Sequence, residues 1–302
     1  MSGDPVQFSW NIISDLRTMW EYGFMRNAFE AGTVIAIVAG IIGYFVVIRR
    51  LAFATHALGH VGFSGAAGAV LFGVNPVYGL LLFTSSGAAG MGLLGRRASN
   101  RDLEIGTVLA FMLGLGLLFI NLYKGYATEA YSILFGEILG ISDSGVVFTL
   151  EASIVVLVAI ALLYRRLLFA SLDEDVAEAK GLPMLALGVT FMILLAVAIS
   201  IAVQVIGVLL IFALMVTPAA VAVRVTKRPL HAVVISILVA LFATWVGLFV
   251  QFYAQYPASF FIVTIAFATY VAVRAGQAIL ARLVPKIAPA VKPVTSTGRE
   301  ST

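Results

Sequence analysis

Apolar residues run along this chain in blocks of about twenty, parted by short breaks that hold nearly all of the basic residues. The blocks fall at 29–48, 51–73, 76–95, 103–123, 144–164, 184–203, 206–224, 231–250 and 258–281. Each is close to the roughly 20 residues that a helix needs to cross a hydrocarbon core, and none shows the strict alternation of a barrel strand. The pattern predicts an all-α, polytopic transmembrane bundle of about nine spans, a single domain over 1–302. The stretch YSILFGEILG (131–140) is too short to cross and reads as a half-helix or re-entrant piece. Ahead of the first block, Trp10, Ile13, Leu16, Trp20 and Phe24 recur at near-helical spacing, with Asp15, Arg17 and Glu21 between them. Residues 1–28 therefore read as an interfacial segment at the headgroups. No basic stretch precedes an apolar core there, so a cleaved signal peptide is not expected. The tail 285–302 reads as a disordered cytoplasmic end.

Composition agrees with the pattern. Of 302 residues, 61% are hydrophobic and 11% charged, with a mean hydropathy of +1.05, far from the soluble range in which about a quarter of residues are charged. Cysteine is absent, which excludes disulfides and thiolate ligands and leaves His, carboxylate and backbone oxygen for any metal chemistry. The net charge of +4 is explained by clustering and not by a nucleic-acid partner. Arg49 and Arg50, Arg96, Arg97 and Arg101, Arg165, Arg166 and Lys180, Arg224, Lys227 and Arg228, and the basic tail all fall on one side if nine spans alternate. That side is the cytoplasm and the N-terminus is outside. Glycine inside the spans, as in GAAGAVLFG (65–73) and SSGAAGMGLLG (85–95), predicts closely packed helices.

Two of the three histidines, His56 and His60, lie four apart within the second block, so on a helix they share a face, and Ser64 continues the stripe. Ionisable groups inside a membrane normally face the bundle interior or a water-filled path. The pair reads either as a transient cation site, since neutral imidazole is a common metal ligand, or as rings satisfied by contacts between helices. Two ligands cannot close a tetrahedral zinc shell; a transported ion needs such an open shell in order to leave. Glu137 and Glu151 either face an outer vestibule or cap and snorkel, and His231, after TKRP, reads as a helix-end residue. FASLDEDVAEAKGLP (169–183) is the longest polar insertion on the cytoplasmic side. It predicts a short capped helix with acids in its first turn and a glycine stop, either a solvated loop or a knob offered to a cytoplasmic partner. No P-loop motif occurs and no H-E-x-x-H, so the chain is not expected to be an enzyme, and any ATP hydrolysis belongs to another polypeptide.

FMRNAFEAGTVIAIVAGIIGYFVVIRRLAFATHALGHVGFSGAA (24–67), IGTVLAF (105–111), LFGEILGIS (134–142), SLDEDVAEAKGLP (171–183) and GVLLIFALMVTPAAVAV (207–223) together resemble permeases of the zinc, manganese and iron class of ABC importers, a type II importer-like bundle. The resemblance spans nearly the whole chain. It implies a bacterial cell-membrane subunit that forms a homodimer, couples to a cytoplasmic ATPase and receives its ion from an extracytoplasmic metal-binding protein. No tightly bound cofactor is implied, only a transported divalent ion, with zinc favoured and manganese or iron as alternatives. It also implies that Ser171, Asp173, Glu174, Ala177 and Gly181 form the ATPase-coupling loop, with Gly207 and Pro218 matching family positions. His60 matches the family histidine, whereas His56 stands where the family usually has Asp, Gly59 where it has Ser and Ser64 where it has Pro. An imidazole in place of a carboxylate softens the site toward zinc. The reading from another class is an ion-coupled carrier or channel with His56 and His60 as a proton relay. Such carriers are expected to show paired inverted repeats with broken helices, and none is legible here.

Overall fold

The computed structural model describes residues 12–93, 101–123, 136, 138–254 and 256–283. Among them the secondary structure is helical: α1 (Ile12–Glu21), α2 (Gly23–Ile48), α3 (Ala52–Leu71), α4 (Pro76–Leu93), α5 (Arg101–Leu122), α6 (Asp143–Leu172), the short α7 (Glu174–Ala179), α8 (Met184–Val225), α9 (Pro229–Ala254) and α10 (Ala258–Leu283), with a single 3₁₀ turn at Ile138–Gly140. Trp10 and the tail 285–302 lie outside the described residues. So does most of the predicted half-helix, of which only Gly136 and 138–140 are described.

The core gathers around α2 and α8. Met25, Ala28, Ile35, Ile42 and Phe45 of α2 and Phe191, Leu195, Ile199 and Met215 of α8 are all within 2% of complete burial. The outer helices instead show long apolar side chains such as Leu117, Val155, Leu162 and Phe267, which suits contact with lipid tails. Glycine sets the closest approaches. A Cβ on Gly43 would overlap the carbonyl oxygen of Met215, and the crossing of α3 and α4 brings Gly65 and Gly79 so close that a Cβ on either would overlap the other's carbonyl. Small residues at these crossings let the backbones meet, the usual source of helix association where water supplies no driving force.

Helix α8 is interrupted at Gly207, with φ 80° and ψ 165°, a region open essentially to glycine alone. The rings of Phe191 and Phe45 lie 6.0 Å apart, and Met215 also packs at this level of α2, against Gly43. The limbs 184–206 and 208–225 thus run in opposite directions, and α8 is a hairpin folded at one residue. Gly207→Ala is expected to cost about 1–3 kcal/mol in backbone strain, read as a lower melting temperature of the detergent-solubilised protein. Gly188→Ala on the same helix, where a Cβ meets nothing within 4 Å, is expected to leave melting unchanged or raise it.

Six described helices, Gly23–Ile48, Asp102–Leu122, Asp143–Leu172, Met184–Val208, Pro229–Ala254 and Ala258–Leu280, are long and apolar enough to cross a membrane, and Leu210–Val225 is apolar but shorter. The expected count of nine is therefore not reached on length and composition. Helices α3 and α4 have 20 and 18 residues, but histidine, glycine, serine and threonine dilute their apolar content. The N-terminal segment also divides differently from the sequence pattern. Helix α1 ends at Glu21, and α2 begins at Gly23 instead of 29.

Candidate functional site

Helix α2 ends in a left-handed turn that aims α3. Arg50 takes φ 57°, and the Leu51 amide donates to the Val46 carbonyl at 2.8 Å while the Arg50 amide donates to that of Val47 at 3.2 Å. This is the Schellman arrangement, which closes the last carbonyls of a helix. The Thr55 hydroxyl then donates back to Leu51 at 3.0 Å, and one residue further along stands His56.

The imidazoles of His56 and His60 meet edge to face with centroids 4.7 Å apart. His56 also stands edge-on to Phe212 of the second α8 limb, at 5.2 Å. Both histidines are half-buried. The Nδ1 atom of His60 is buried and has no hydrogen-bond partner, a state that ordinarily costs free energy in a low-dielectric interior. Gly59, between the two histidines, lies against the start of the second α8 limb, where its Cβ would come within 3.3 Å of Val208 Cγ1. The pair therefore sits beside the limb that leaves the Gly207 fold. Above that fold, a Cβ on Gly136, at φ 73°, would overlap the backbone of Ile206. Ile138 meanwhile lies at Gly32, where a Cβ would come 3.5 Å from its Cδ1. Gly32 is nine residues inside the start of α2 at Gly23, about 14 Å at helical rise, so Gly136 and Ile138 lie well inside the N-terminal end of α2, beside the bend of α8.

The other sequence candidates lie elsewhere. Ser64 is fully buried, and its hydroxyl donates to the carbonyls of His60 and of Met112 on α5, so its polar atom serves the contact between helices. Glu151 is exposed on α6 among outward-facing Val147, Ile154 and Val155, away from the histidines. Glu137 lies outside the described residues. His231 is exposed in the first turn of α9, as an end residue should be. Among the described residues no group of three or more His, Asp or Glu forms a metal cluster.

On the opposite side, α6 runs through Ser171 to Leu172, and the cap of the short helix is Asp173, whose carboxylate accepts from the Val176 amide at 3.1 Å. Glu174 and Asp175 occupy its first turn. Ala177 is fully buried beneath it, and Gly181, at φ 80°, ends it as the Leu182 amide donates to the Ala177 carbonyl at 3.1 Å. The remaining face of α7 is exposed. Sequence reasoning missed three features. One is the one-residue fold at Gly207, although a boundary between 203 and 206 was legible. Another is Gln204, exposed just before that fold while Val203 and Val205 on either side are buried. The third is Arg49, read only as part of a basic cluster.

The model of the ABC 3 transport family matches residues 21–277. The manganese transport system membrane protein MntC of Listeria monocytogenes is 29% identical over 238 residues, 78% of this chain and 85% of that protein. The manganese import system permease protein ScaB of Streptococcus gordonii is likewise 29% identical over 238 residues, with the same two shares. Among solved structures, PsaBC from Streptococcus pneumoniae, determined in complex with a Fab, superposes with a TM-score of 0.78 at 28% identity, covering 87% of this chain and 95% of that one.

Proposed function

We propose, from the fact that this chain belongs to the ABC 3 transport family, that it passes a divalent transition-metal ion along a route bordered by His56 and His60. The chain is a multi-pass membrane protein and the permease subunit of an ABC metal importer, not an enzyme; the ATPase of such a system is a separate subunit. A self-powered carrier with a histidine relay does not belong to this family.

The observation that carries the ion route is the buried, unpartnered Nδ1 of His60 beside the half-open ring of His56. A ring nitrogen without a protein partner is available to a passing cation, and a pair without a third protein ligand holds that cation loosely enough to release it. Helices α3 and α4 and the second limb of α8 are read as crossing with the six longer helices, nine in all. That count places α7 on the cytoplasmic side, where its exposed face suits an ATPase. An extracytoplasmic metal-binding protein would deliver the ion to the outer side, and a second copy of the permease would complete the path.

Manganese is the cargo suggested by the relatives' names. Zinc is suggested by the donor atoms, because His56 replaces the family's carboxylate with nitrogen. The test is tagging the full chain in its native cell and measuring both co-purification and uptake. A P-loop ATPase should accompany it, and deletion of the gene should lower ATP-dependent uptake of radiolabelled manganese or zinc. Absence of any ATPase from the purified complex would overturn the reading. Competition between the two metals in the same assay assigns the cargo.

A further inference from the structure

Arg49 stands where three parts of the fold meet. Its Nε–H donates to the Ser171 hydroxyl at 2.8 Å, and that hydroxyl in turn donates to the Leu167 carbonyl. Its guanidinium lies over the Phe191 ring, 5.1 Å from the centroid. Ser171 is in the last turn of α6, two residues before the cap of α7; Phe191 is on the first limb of α8; and Arg49 itself closes α2. The turn that follows, fixed by the Schellman bonds of Arg50 and Leu51, leads into the first turn of α3. His56 is seven residues beyond Arg49, about two helical turns.

We propose that Arg49 is a positioning residue that ties the ATPase-contacting helix to the helix bearing the histidine pair, so that displacement of α7 is delivered to α3. The inference rests on the proposed function, since it needs an ATPase seated on α7. Helix α7 has little purchase of its own. It hangs from the ends of α6 and α8, with Lys180 Nζ 5.2 Å from the centroid of the Phe169 ring and Ala177 buried. A force on it therefore passes first into the end of α6, where Ser171 sits. Arginine suits the role because one side chain both stacks on an aromatic ring and donates in plane from Nε. Lysine has no equivalent of that second donor. A basic pair at the end of a span needs only charge for orientation, so charge alone does not account for these contacts.

Spatial adjacency alone does not establish coupling, whereas a cycle of single and double variants does. The full permease with its ATPase, reconstituted in liposomes, is assayed for ATP hydrolysed per manganese or zinc ion taken up. Arg49→Gln, Arg49→Lys and Ser171→Ala are each expected to raise that ratio, about tenfold for the arginine variants, the scale of a lost hydrogen bond to a charged group. ATPase recovery with the two Arg49 variants should stay at the wild-type level. Arg49→Gln combined with Ser171→Ala should be no worse than Arg49→Gln alone. An unchanged ratio in Arg49→Gln with the ATPase still bound overturns the proposal, as does full rescue by lysine. Failure of the wild-type chain to bind any ATPase would instead overturn the functional reading itself. Should Arg49→Gln not accumulate, Arg49→Lys and Ser171→Ala still decide the matter.

Discussion

Replacing His56 and His60 together by alanine is expected to abolish uptake of the cargo ion while the protein remains folded and bound to its ATPase. The expected loss at limiting metal is at least about a hundredfold, since even groups outside the first ligand sphere are typically worth 10–100-fold in metal affinity. The fold should tolerate the change for a specific reason. The Nδ1 atom of His60 makes no hydrogen bond, so its removal strands no buried partner, and truncation of His56 gives up edge contacts with His60 and Phe212. Alanine is also the most favourable helix residue, and α3 already holds several glycines that a rigid neighbour must compensate. Uptake is measured alongside the elution profile of the purified complex. Wild-type uptake by a monodisperse double variant would remove the histidines from the route. Single variants should each retain partial transport, and His56→Asp, which restores the family's usual residue, should favour manganese over zinc.

Gly79→Leu is expected to give no folded protein. A Cβ at Gly79 would overlap the Gly65 carbonyl and approach the Ala69 Cβ to 2.7 Å, so α4 cannot keep its distance from α3. Overfilling a core with side chains typically costs about 1–3 kcal/mol. Here the obstruction is backbone, which has no rotamer to yield, so the cost should exceed that range. Since α3 carries both histidines, a displaced α4 would remove the surface against which that helix is packed. The readouts are yield of membrane-inserted protein and the monodisperse fraction after detergent extraction. Gly90→Leu, on the same helix and with nothing within 4 Å of its Cβ, should retain both. Equal behaviour of the two variants would show that the crossing is not the contact that sets this packing.

Several features of the site could be read directly from residue order. The i, i+4 spacing of His56 and His60 places them on one helical face in any α-helix, and the structure brings their rings together. The acid-rich stretch before Gly181 forms a short capped helix because an N-terminal turn favours carboxylates and a left-handed end favours glycine. Its cap is Asp173, because α6 continues for another turn through Ser171 before the chain breaks. Ser64 shows the limit of periodicity. It does follow the histidine stripe, yet a neighbouring carbonyl on α5 takes its hydroxyl, and only the approach of α5 through Gly116, where a Cβ would come 2.9 Å from the Ser64 Oγ, reveals this.

The membrane-spanning class, the histidine spacing and the short capped helix after α6 were set by local order, because helical period, capping chemistry and hydropathy act over a few residues. The reversal of α8 at Gly207, the loss of Ser64 to a helix contact, the outward position of Glu151 and the joining of Arg49 to Ser171 and Phe191 were decided by tertiary structure. Each depends on which backbones can approach one another, and that is a property of pairs of helices distant in the chain.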